Sequence, residues 1–214
     1  MSNKRFLTAV LILVLALPLT AAEWTTPAPK KEGAVAAQEA LSVLWEGLTD
    51  LDMLHQVRLD LARAREEKKT LSVTLLSPGG PIITSIEIGR QIWLARQKGQ
   101  VVEIHGVGLV ASGATLVLAS GTKGKRFISE HALVVVHPIQ SRGFMSSQCV
   151  TFSEQPKDEG ERVANAIMVI MRNVYMKFTE KSQGEVEKWL TCGNEQAGGG
   201  ALAVTLGMAD AVRE

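Results

Sequence analysis

The first clear periodicity along this chain is helical and begins near residue 51. Leu51, Leu54, Val57, Leu61 and Ala64 recur at intervals of three or four residues, with charged residues between them. This spacing predicts an amphipathic helix with one buried face and one charged, solvated face. The segment "LSVTLL" follows. Its alternation of apolar and polar residues is typical of a strand, and the turn "SPGG" ends it.

Helices and strands continue to alternate through the middle of the chain. Residues 82–98 predict a second helix, which Gly99 ends. "VVEIHGVG" predicts a strand, and "SGATLVLAS" predicts a helix that is apolar on nearly all sides and therefore buried. "ALVVVHP" predicts another strand. Strands that alternate with helices indicate an α/β domain with a largely parallel sheet.

The pattern changes after this strand, because residues 140–160 are polar and irregular. A long helix is predicted next. Its apolar residues at helical spacing are Val163, Ile167, Ile170, Val174 and Phe178. Ile and Met on its other faces allow contact with a partner, although packing against the chain's own core accounts for them more simply. "GEVEKWL" predicts a short helix, and "ALAVTLGMADAV" a final helix broken at Gly207.

The N-terminus has the layout of a secretory signal peptide over residues 1–22. Lys4 and Arg5 precede an apolar run and then small residues. The apolar run is shorter than the roughly 20 residues that a membrane span needs, so cleavage is favoured over an uncleaved anchor. Residues 23–39 carry prolines and charges and predict a linker, which leaves residues 40–214 as a single domain. A periplasmic or secreted location follows.

Composition adds three constraints. Hydrophobic residues make up 46% of the 214 residues, enough to fill a core. The net charge of +1 gives no reason to expect a nucleic-acid partner. Cys149 and Cys192 suggest one disulfide in an exported protein, with two free thiols as the alternative. No His-Glu-x-x-His metal site and no nucleotide-binding loop is present in the sequence, so neither a metal nor a cofactor is predicted.

Two segments carry candidate chemistry. "SPGG" is a glycine turn at a strand end, where exposed N–H groups can stabilise a negative oxygen, although most such turns are only turns. Ser112 stands at the start of the predicted buried helix. A serine there is commonly an N-cap, but it can also be a nucleophile whose intermediate is held by the N–H of Gly113. "VASGA" lacks the Gly-x-Ser-x-Gly pattern of an α/β-hydrolase.

A nucleophilic serine needs a base, and His137 has the best placement of the four histidines. It ends an apolar strand, where a side chain can emerge into a cleft. His55 falls in the first amphipathic helix, His105 inside a strand and His131 in a turn. The alternative for His137 is a structural role, with its ring satisfied by backbone contacts.

Three segments together resemble the proteolytic subunit of the Clp protease in their order, spacing and residues: "LSVTLLSPGG", "GVGLVASGATLVLASGTKGKRF" and "ALVVVHPI". The resemblance covers about residues 48–139. It implies a crotonase-like β/α superhelical spiral and a serine peptidase with a Ser-His-Asp triad. By match of motif, Ser112 is the nucleophile and His137 the base.

The same resemblance assigns the groups around the nucleophile. Gly80 and Gly113 take the two oxyanion-hole positions. Pro81 and Ile82, in "SPGGPII", would form part of the ledge along which a substrate strand pairs.

The third triad member is where the sequence departs from the family. The family aspartate corresponds to Trp189, or to Thr191 after a two-residue shift. Asn194 and Glu195 lie close enough along the chain to substitute. The site is then an altered triad, a weaker Ser-His dyad or an inactive binding scaffold. A crotonase-type acyl-CoA enzyme is a third class, which the Ser112 and His137 contexts disfavour.

Partners also follow from the resemblance. The substrate would be a peptide or an unfolded protein. The long helix matches the family helix that joins rings, which makes a homo-oligomer possible. An exported chain would lack cytosolic ATP-driven unfoldases. A disulfide between Cys149 and Cys192 would tie the segment after His137 to the loop that should carry the third member.

Overall fold

The computed structural model describes residues 39–142, 147–150 and 155–214. The predicted signal peptide, and all but the last residue of the predicted linker, lie outside the described residues, so both stay predictions. The strands are β1 (Ala40–Leu48), β2 (Thr70–Gly79), β3 (Val102–Ala111), β4 (Arg126–Ser129), β5 (Leu133–Val136), β6 (Gln140–Arg142), β7 (Ser147–Cys149), β8 (Gln196–Gly198) and β9 (Ala211–Arg213). The helices are α1 (Leu51–Glu66), α2 (Ile82–Gln97), α3 (Gly113–Ser120), α4 (Glu159–Thr179), α5 (Gln183–Trp189) and α6 (Gly200–Thr205).

The main sheet runs in the order β1-β2-β3-β4-β9, and every pair along this path is parallel. Strand β5 branches from it as a further parallel partner of β3, and β8 pairs antiparallel with β5. Strands β6 and β7 form a separate antiparallel pair. The predicted α/β class with a mostly parallel sheet is confirmed.

Helix α3 occupies the centre of the core. All eight of its residues are buried, as its lack of a polar face predicts. It packs against β2, β3, α2 and α4. Because β3 ends at Ala111 and α3 begins at Gly113, the position of Ser112 between them is fixed by a central strand of the sheet and the wholly buried helix.

The sequence pattern did not predict several elements of the fold. Strand β1 lies at the edge of the sheet, where its buried Trp45 donates a hydrogen bond from Nε1 to Asp60 Oδ2 at 2.8 Å. Strand β4 was also missed, and the predicted irregular segment contains the β6–β7 pair. The predicted break at Gly207 is present, with φ 72°. The chain beyond that residue forms β9 rather than more helix, because β9 pairs with β4.

The disulfide between Cys149 and Cys192 is present, with a Cα–Cα distance of 6.0 Å. It joins the end of β7 to the segment after α5. Within the described part of the chain, we find no helix with the length and apolar character that crossing a membrane requires.

Candidate active site

Ser112 forms a sharp turn between β3 and α3. Its backbone has φ 53° and ψ −128°, a combination that side-chain-bearing residues rarely adopt. Such conformations cost about 1–3 kcal/mol and persist only where the surrounding structure holds them. Here the N–H of Ser112 donates to the carbonyl of Val135 at 2.7 Å. The turn is therefore a strained strand-to-helix elbow, although the Gly-x-Ser-x-Gly pattern is absent.

The side chain of Ser112 does not cap the helix that follows. The residue stands at the N-cap position of α3, but its hydroxyl makes no capping hydrogen bond. The N-cap interpretation is therefore wrong, and the Oγ atom is left available at the surface of a cavity.

Gly79 brings the "SPGG" turn into direct contact with this elbow. A Cβ atom at Gly79 would lie 2.5 Å from the carbonyl oxygen of Ala111 and 2.6 Å from Ser112 Cβ. Its φ of 90° is a second reason for glycine. Gly113 is equally confined, since a Cβ there would lie 2.0 Å from Ser85 Oγ. No larger residue fits where the two turns meet.

Two backbone N–H groups beside Ser112 are free to donate. The carbonyl of Gly79 accepts a hydrogen bond from the N–H of Thr49 at 3.0 Å. In a planar trans peptide the carbonyl and the N–H point in opposite directions, so the N–H of Gly80 faces away from Thr49. Among the described residues, neither Gly80 nor Gly113 donates its N–H to another group. The N–H of Gly113 also lies at the positive end of α3.

His137 follows β5, and its ring is oriented by a backbone carbonyl. Nδ1 lies 2.7 Å from the carbonyl oxygen of Pro138. A carbonyl can only accept, so Nδ1 must carry the proton. A neutral ring then has its lone pair on Nε2, which is the tautomer that a general base needs. In the part of the chain that the structure describes, no direct hydrogen bond joins His137 to Ser112.

The predicted residues line one cavity of about 470 Å³. Ser112, Gly113, His137, Gly80, Pro81 and Ile82 all belong to its wall. The other wall residues are Leu48, Pro78, Gly79, Pro138, Ile139, Gln140, Met171 and Tyr175. Sequence reasoning therefore selected residues that the fold brings together from three separate segments.

Among the described residues, no hydrogen bond joins His137 to any of the four positions considered for the third triad member. Trp189 is buried and packs edge-on against Tyr175, with ring centroids 6.4 Å apart. Thr191 Oγ1 donates to the carbonyl of Glu187 at 2.8 Å. Asn194 and Glu195 are both exposed.

The loop with Asn194 and Glu195 nevertheless passes close to the histidine. Val136 pairs with Gln196 in the antiparallel β5–β8 register. One more step along that register places Glu195 beside His137. The Oε1 atom of Glu195 instead accepts from the N–H of Gly193 at 3.3 Å, which turns the carboxylate back onto its own loop.

Three residues of the site were missed from the sequence. Thr115 donates from Oγ1 to the carbonyl of Ser112 at 2.6 Å, and Tyr175 lies 2.6 Å from the same Oγ1 atom. Burial raises the pKa of Tyr175 to about 12. A threonine inside an otherwise apolar helix was the available signal for this contact. Pro138 acts through its carbonyl, which every residue type possesses, so the sequence contained no signal for it.

Metal chemistry has no support in the described segments. They contain no group of three or more His, Cys, Asp or Glu side chains placed to hold an ion. The prediction that no cofactor is needed stays a prediction.

Comparison with known proteins matches this geometry to one family. Residues 47–214 match the family model described as Clp protease. The match covers the whole cavity wall, from Leu48 to Tyr175. It agrees with the crotonase-like fold that the sequence motifs imply.

The individual relatives share about a third or less of their aligned residues with this chain. The chain is 29% identical to the chloroplastic ATP-dependent Clp protease proteolytic subunit 4 of Arabidopsis thaliana, over 53% of this chain and 37% of that protein. It is 33% identical to proteolytic subunit 2 of Bifidobacterium longum, over 44% of this chain and 46% of that protein. It is 27% identical to proteolytic subunit 2 of Corynebacterium diphtheriae, over 61% of this chain and 64% of that protein. The alignments thus span between 37% and 64% of these relatives.

Proposed function

The chain belongs to the Clp protease family, and on this premise we propose that it is a serine peptidase in which Ser112 attacks peptide carbonyls and His137 is the general base. One observation carries the proposal. An uncapped serine on a strained turn lies between two free backbone N–H donors, in the same cavity as a histidine of the required tautomer. Nucleophile, base and oxyanion donors are the three parts that acyl transfer needs.

The chemistry proceeds in two halves. Nε2 of His137 takes the proton of Ser112 Oγ as that oxygen attacks the carbonyl carbon. The N–H groups of Gly80 and Gly113 hold the oxyanion that forms. His137 then passes the proton to the leaving amine, and the peptide bond breaks to give an acyl-enzyme. Water, deprotonated by His137, attacks the ester and releases the acid, and the proton returns to Ser112.

The carbonyl of Pro138 replaces part of what a triad carboxylate does. It fixes the proton on Nδ1, which keeps Nε2 available as the base. It lacks the negative charge that stabilises the imidazolium formed during attack. We therefore expect a working Ser-His dyad with a turnover below that of a carboxylate triad.

The cavity suits peptide chains as substrates. Leu48, Ile82, Ile139 and Met171 give its wall an apolar character that fits exposed side chains of a peptide or an unfolded protein. Pro81 and Ile82 stand next to Gly80, where an extended substrate backbone would pass. Both residues belong to the cavity wall, which supports the ledge role that the motif match implies.

Export, assembly and independence from an ATP-driven unfoldase remain parts of the proposal. The Cys149–Cys192 disulfide supports an oxidising compartment, periplasmic or extracellular, since such bonds are rare in the reducing cytosol. Cell fractionation of the full chain with an N-terminal truncation as control tests the location. Recovery of the full chain in the cytosol, with both thiols free, would contradict it.

A fluorophosphonate probe tests the central claim, because it labels activated serines covalently. We expect labelling of the wild-type protein, none of Ser112→Ala, and labelling of His137→Ala slowed by about a thousand-fold. Matched controls are Ser42→Ala and His131→Ala, which alter exposed residues and should label like the wild type. Equal labelling of Ser112→Ala, or none of the wild type, would favour the alternative, an inactive oligomeric binding protein on the same fold.

A further inference from the structure

Thr115 and Tyr175 form a hydrogen-bonded relay that ends on the carbonyl of Ser112. Thr115 donates twice to this oxygen, from Oγ1 at 2.6 Å and from its N–H at 3.0 Å. The hydroxyl of Tyr175 lies 2.6 Å from Thr115 Oγ1. Thr115 belongs to α3 and Tyr175 to α4, so the relay connects the nucleophile turn with the long helix.

The direction of the relay follows from proton counting. A threonine hydroxyl has one proton, and Thr115 donates it to Ser112. The hydroxyl of Tyr175 must therefore donate to Thr115. Burial raises the pKa of Tyr175 to about 12, so its hydroxyl keeps that proton at any ordinary pH. The donation runs from Tyr175 through Thr115 to the Ser112 carbonyl.

Holding this carbonyl sets the direction of the next N–H. The peptide unit between Ser112 and Gly113 is planar, and its carbonyl and N–H point in opposite directions. An oxyanion donor acts only when it lies about 2.7–3.1 Å from the developing charge. The Ser112 backbone combines φ 53° with ψ −128°, and rotating this peptide would bring ψ towards the left-handed helical region, which side-chain-bearing residues adopt more readily. The two bonds from Thr115 oppose that rotation.

We propose that Thr115 and Tyr175 are positioning residues that keep the N–H of Gly113 aimed at the oxyanion of the tetrahedral intermediate. The inference rests on the proposed function of Ser112 and deepens it. Both residues act through the Ser112–Gly113 peptide rather than on the reacting atoms. Their loss should therefore lower kcat and leave KM nearly unchanged, because the oxyanion forms only in the transition state.

Three variants and one control separate this role from a merely structural one. Thr115→Val keeps the shape of the side chain and removes the hydroxyl, while Thr115→Ser restores it. Tyr175→Phe removes only the outer donor. The control is Ser120→Ala at the other end of α3, where Ser120 Oγ donates to the carbonyl of Val117 at 2.7 Å. That bond also spans three residues and is buried, but it ends on Val117, about one and a half helical turns beyond Ser112.

The measurements are peptide kcat and KM, the rate of fluorophosphonate labelling, and the melting temperature of each variant. We expect Thr115→Val to lower kcat and the labelling rate about 30-fold and Tyr175→Phe about 5-fold, both below the effect of deleting a whole oxyanion donor. Thr115→Ser and Ser120→Ala should stay within about twofold of the wild type. Ser120→Ala should lower the melting temperature about as much as Thr115→Val does.

The outcomes distinguish failure of the relay from failure of the proposed function. A wild type that labels at Ser112, together with a Thr115→Val variant that labels equally fast, overturns the relay alone. So does a loss in Ser120→Ala as large as in Thr115→Val. A wild type that does not label removes the proposed function and the relay with it. If Thr115→Val does not fold, Tyr175→Phe and Thr115→Ser still decide the matter.

Discussion

The two walls of the cavity are built in different ways. The nucleophile wall, named after the proposed nucleophile Ser112, consists of Gly79, Gly80, Ser112 and Gly113 and rests on the central strands β2 and β3 and on the wholly buried helix α3. The base wall, named after the proposed base His137, consists of His137 and the chain beyond it. It rests on the four-residue strand β5, the three-residue strand β8 and the β6–β7 pair. One wall lies in the core of the sheet, and the other at its margin.

The two walls orient their chemical groups by different means. On the nucleophile wall, peptide groups are fixed by close packing of glycine backbones and by the bonds that Thr49 and Thr115 make. On the base wall, His137 is oriented by a single neighbouring carbonyl, and the segment after it is tied down by a covalent bond. Packing therefore holds the first wall, whereas a cross-link holds the second.

Removal of the disulfide should have the largest effect on stability. The two cysteines are 43 residues apart, and opening a loop of this size is expected to lower the free energy of unfolding by about 4 kcal/mol. Denaturant unfolding of Cys149→Ser/Cys192→Ser measures the change. Wild-type protein unfolded in reductant is the control and should show the same loss.

A loss below about 1 kcal/mol in the free energy of unfolding would contradict the stabilising role assigned to the disulfide, since removing such a cross-link ordinarily costs a few kcal/mol. Such a small loss would mean that the short strands of the base wall are stable without the disulfide. A loss of about 4 kcal/mol, together with rapid hydrogen exchange of the amides in β5 and β8 and no such exchange in β3, would support the claim that the disulfide stabilises the base wall.

Gly79→Ala tests the packing of the nucleophile wall. The new methyl would meet the carbonyl of Ala111 at 2.5 Å. Overpacking costs about 2 kcal/mol and the left-handed backbone about 1 kcal/mol more, so the variant should lose about 3 kcal/mol of unfolding free energy and most of its labelling.

The matched control is Gly193→Ala on the loop of the base wall. Gly193 also has positive φ, at 82°, but nothing lies within 4 Å of an added Cβ. It should lose only the backbone part, about 1 kcal/mol. Denaturant unfolding measures both variants. If Gly79→Ala and Gly193→Ala lose the same unfolding free energy, the contact between Gly79 and the Ser112 elbow does not add to the destabilisation.

The positions of four site residues on both walls could be predicted from the sequence. Ser112, Gly80 and Gly113 lie where strong periodic segments meet, so the ends of β2 and β3 and the start of α3 could be located from the pattern. The placement of His137 at the end of an apolar strand followed from the same reasoning. Each is positioned by elements whose hydrophobic pattern is complete in itself.

The remainder depends on pairing between distant segments. Strand β9 has three residues and exists because it pairs with β4, a contact that no local pattern records. The missing aspartate drew attention to Asn194 and Glu195, whereas the ring of His137 is held by the carbonyl of Pro138. A backbone acceptor is chemically the same at every residue, so only the folded chain reveals it.

The smallest expected effect on the labelling rate is that of substitutions at Asn194 and Glu195, on the loop of the base wall. Asn194→Ala and Glu195→Gln should each change the rate of fluorophosphonate labelling by less than about twofold, because both side chains are exposed and no hydrogen bond joins either of them to the ring in the described structure. His137→Ala, which we expect to lose nearly all labelling, is the reference. A tenfold loss in Glu195→Gln at an unchanged melting temperature would contradict the dyad. It would mean that the carboxylate swings from Gly193 to Nδ1 during turnover, one step along the β5–β8 register, and displaces the carbonyl of Pro138 as the partner of His137.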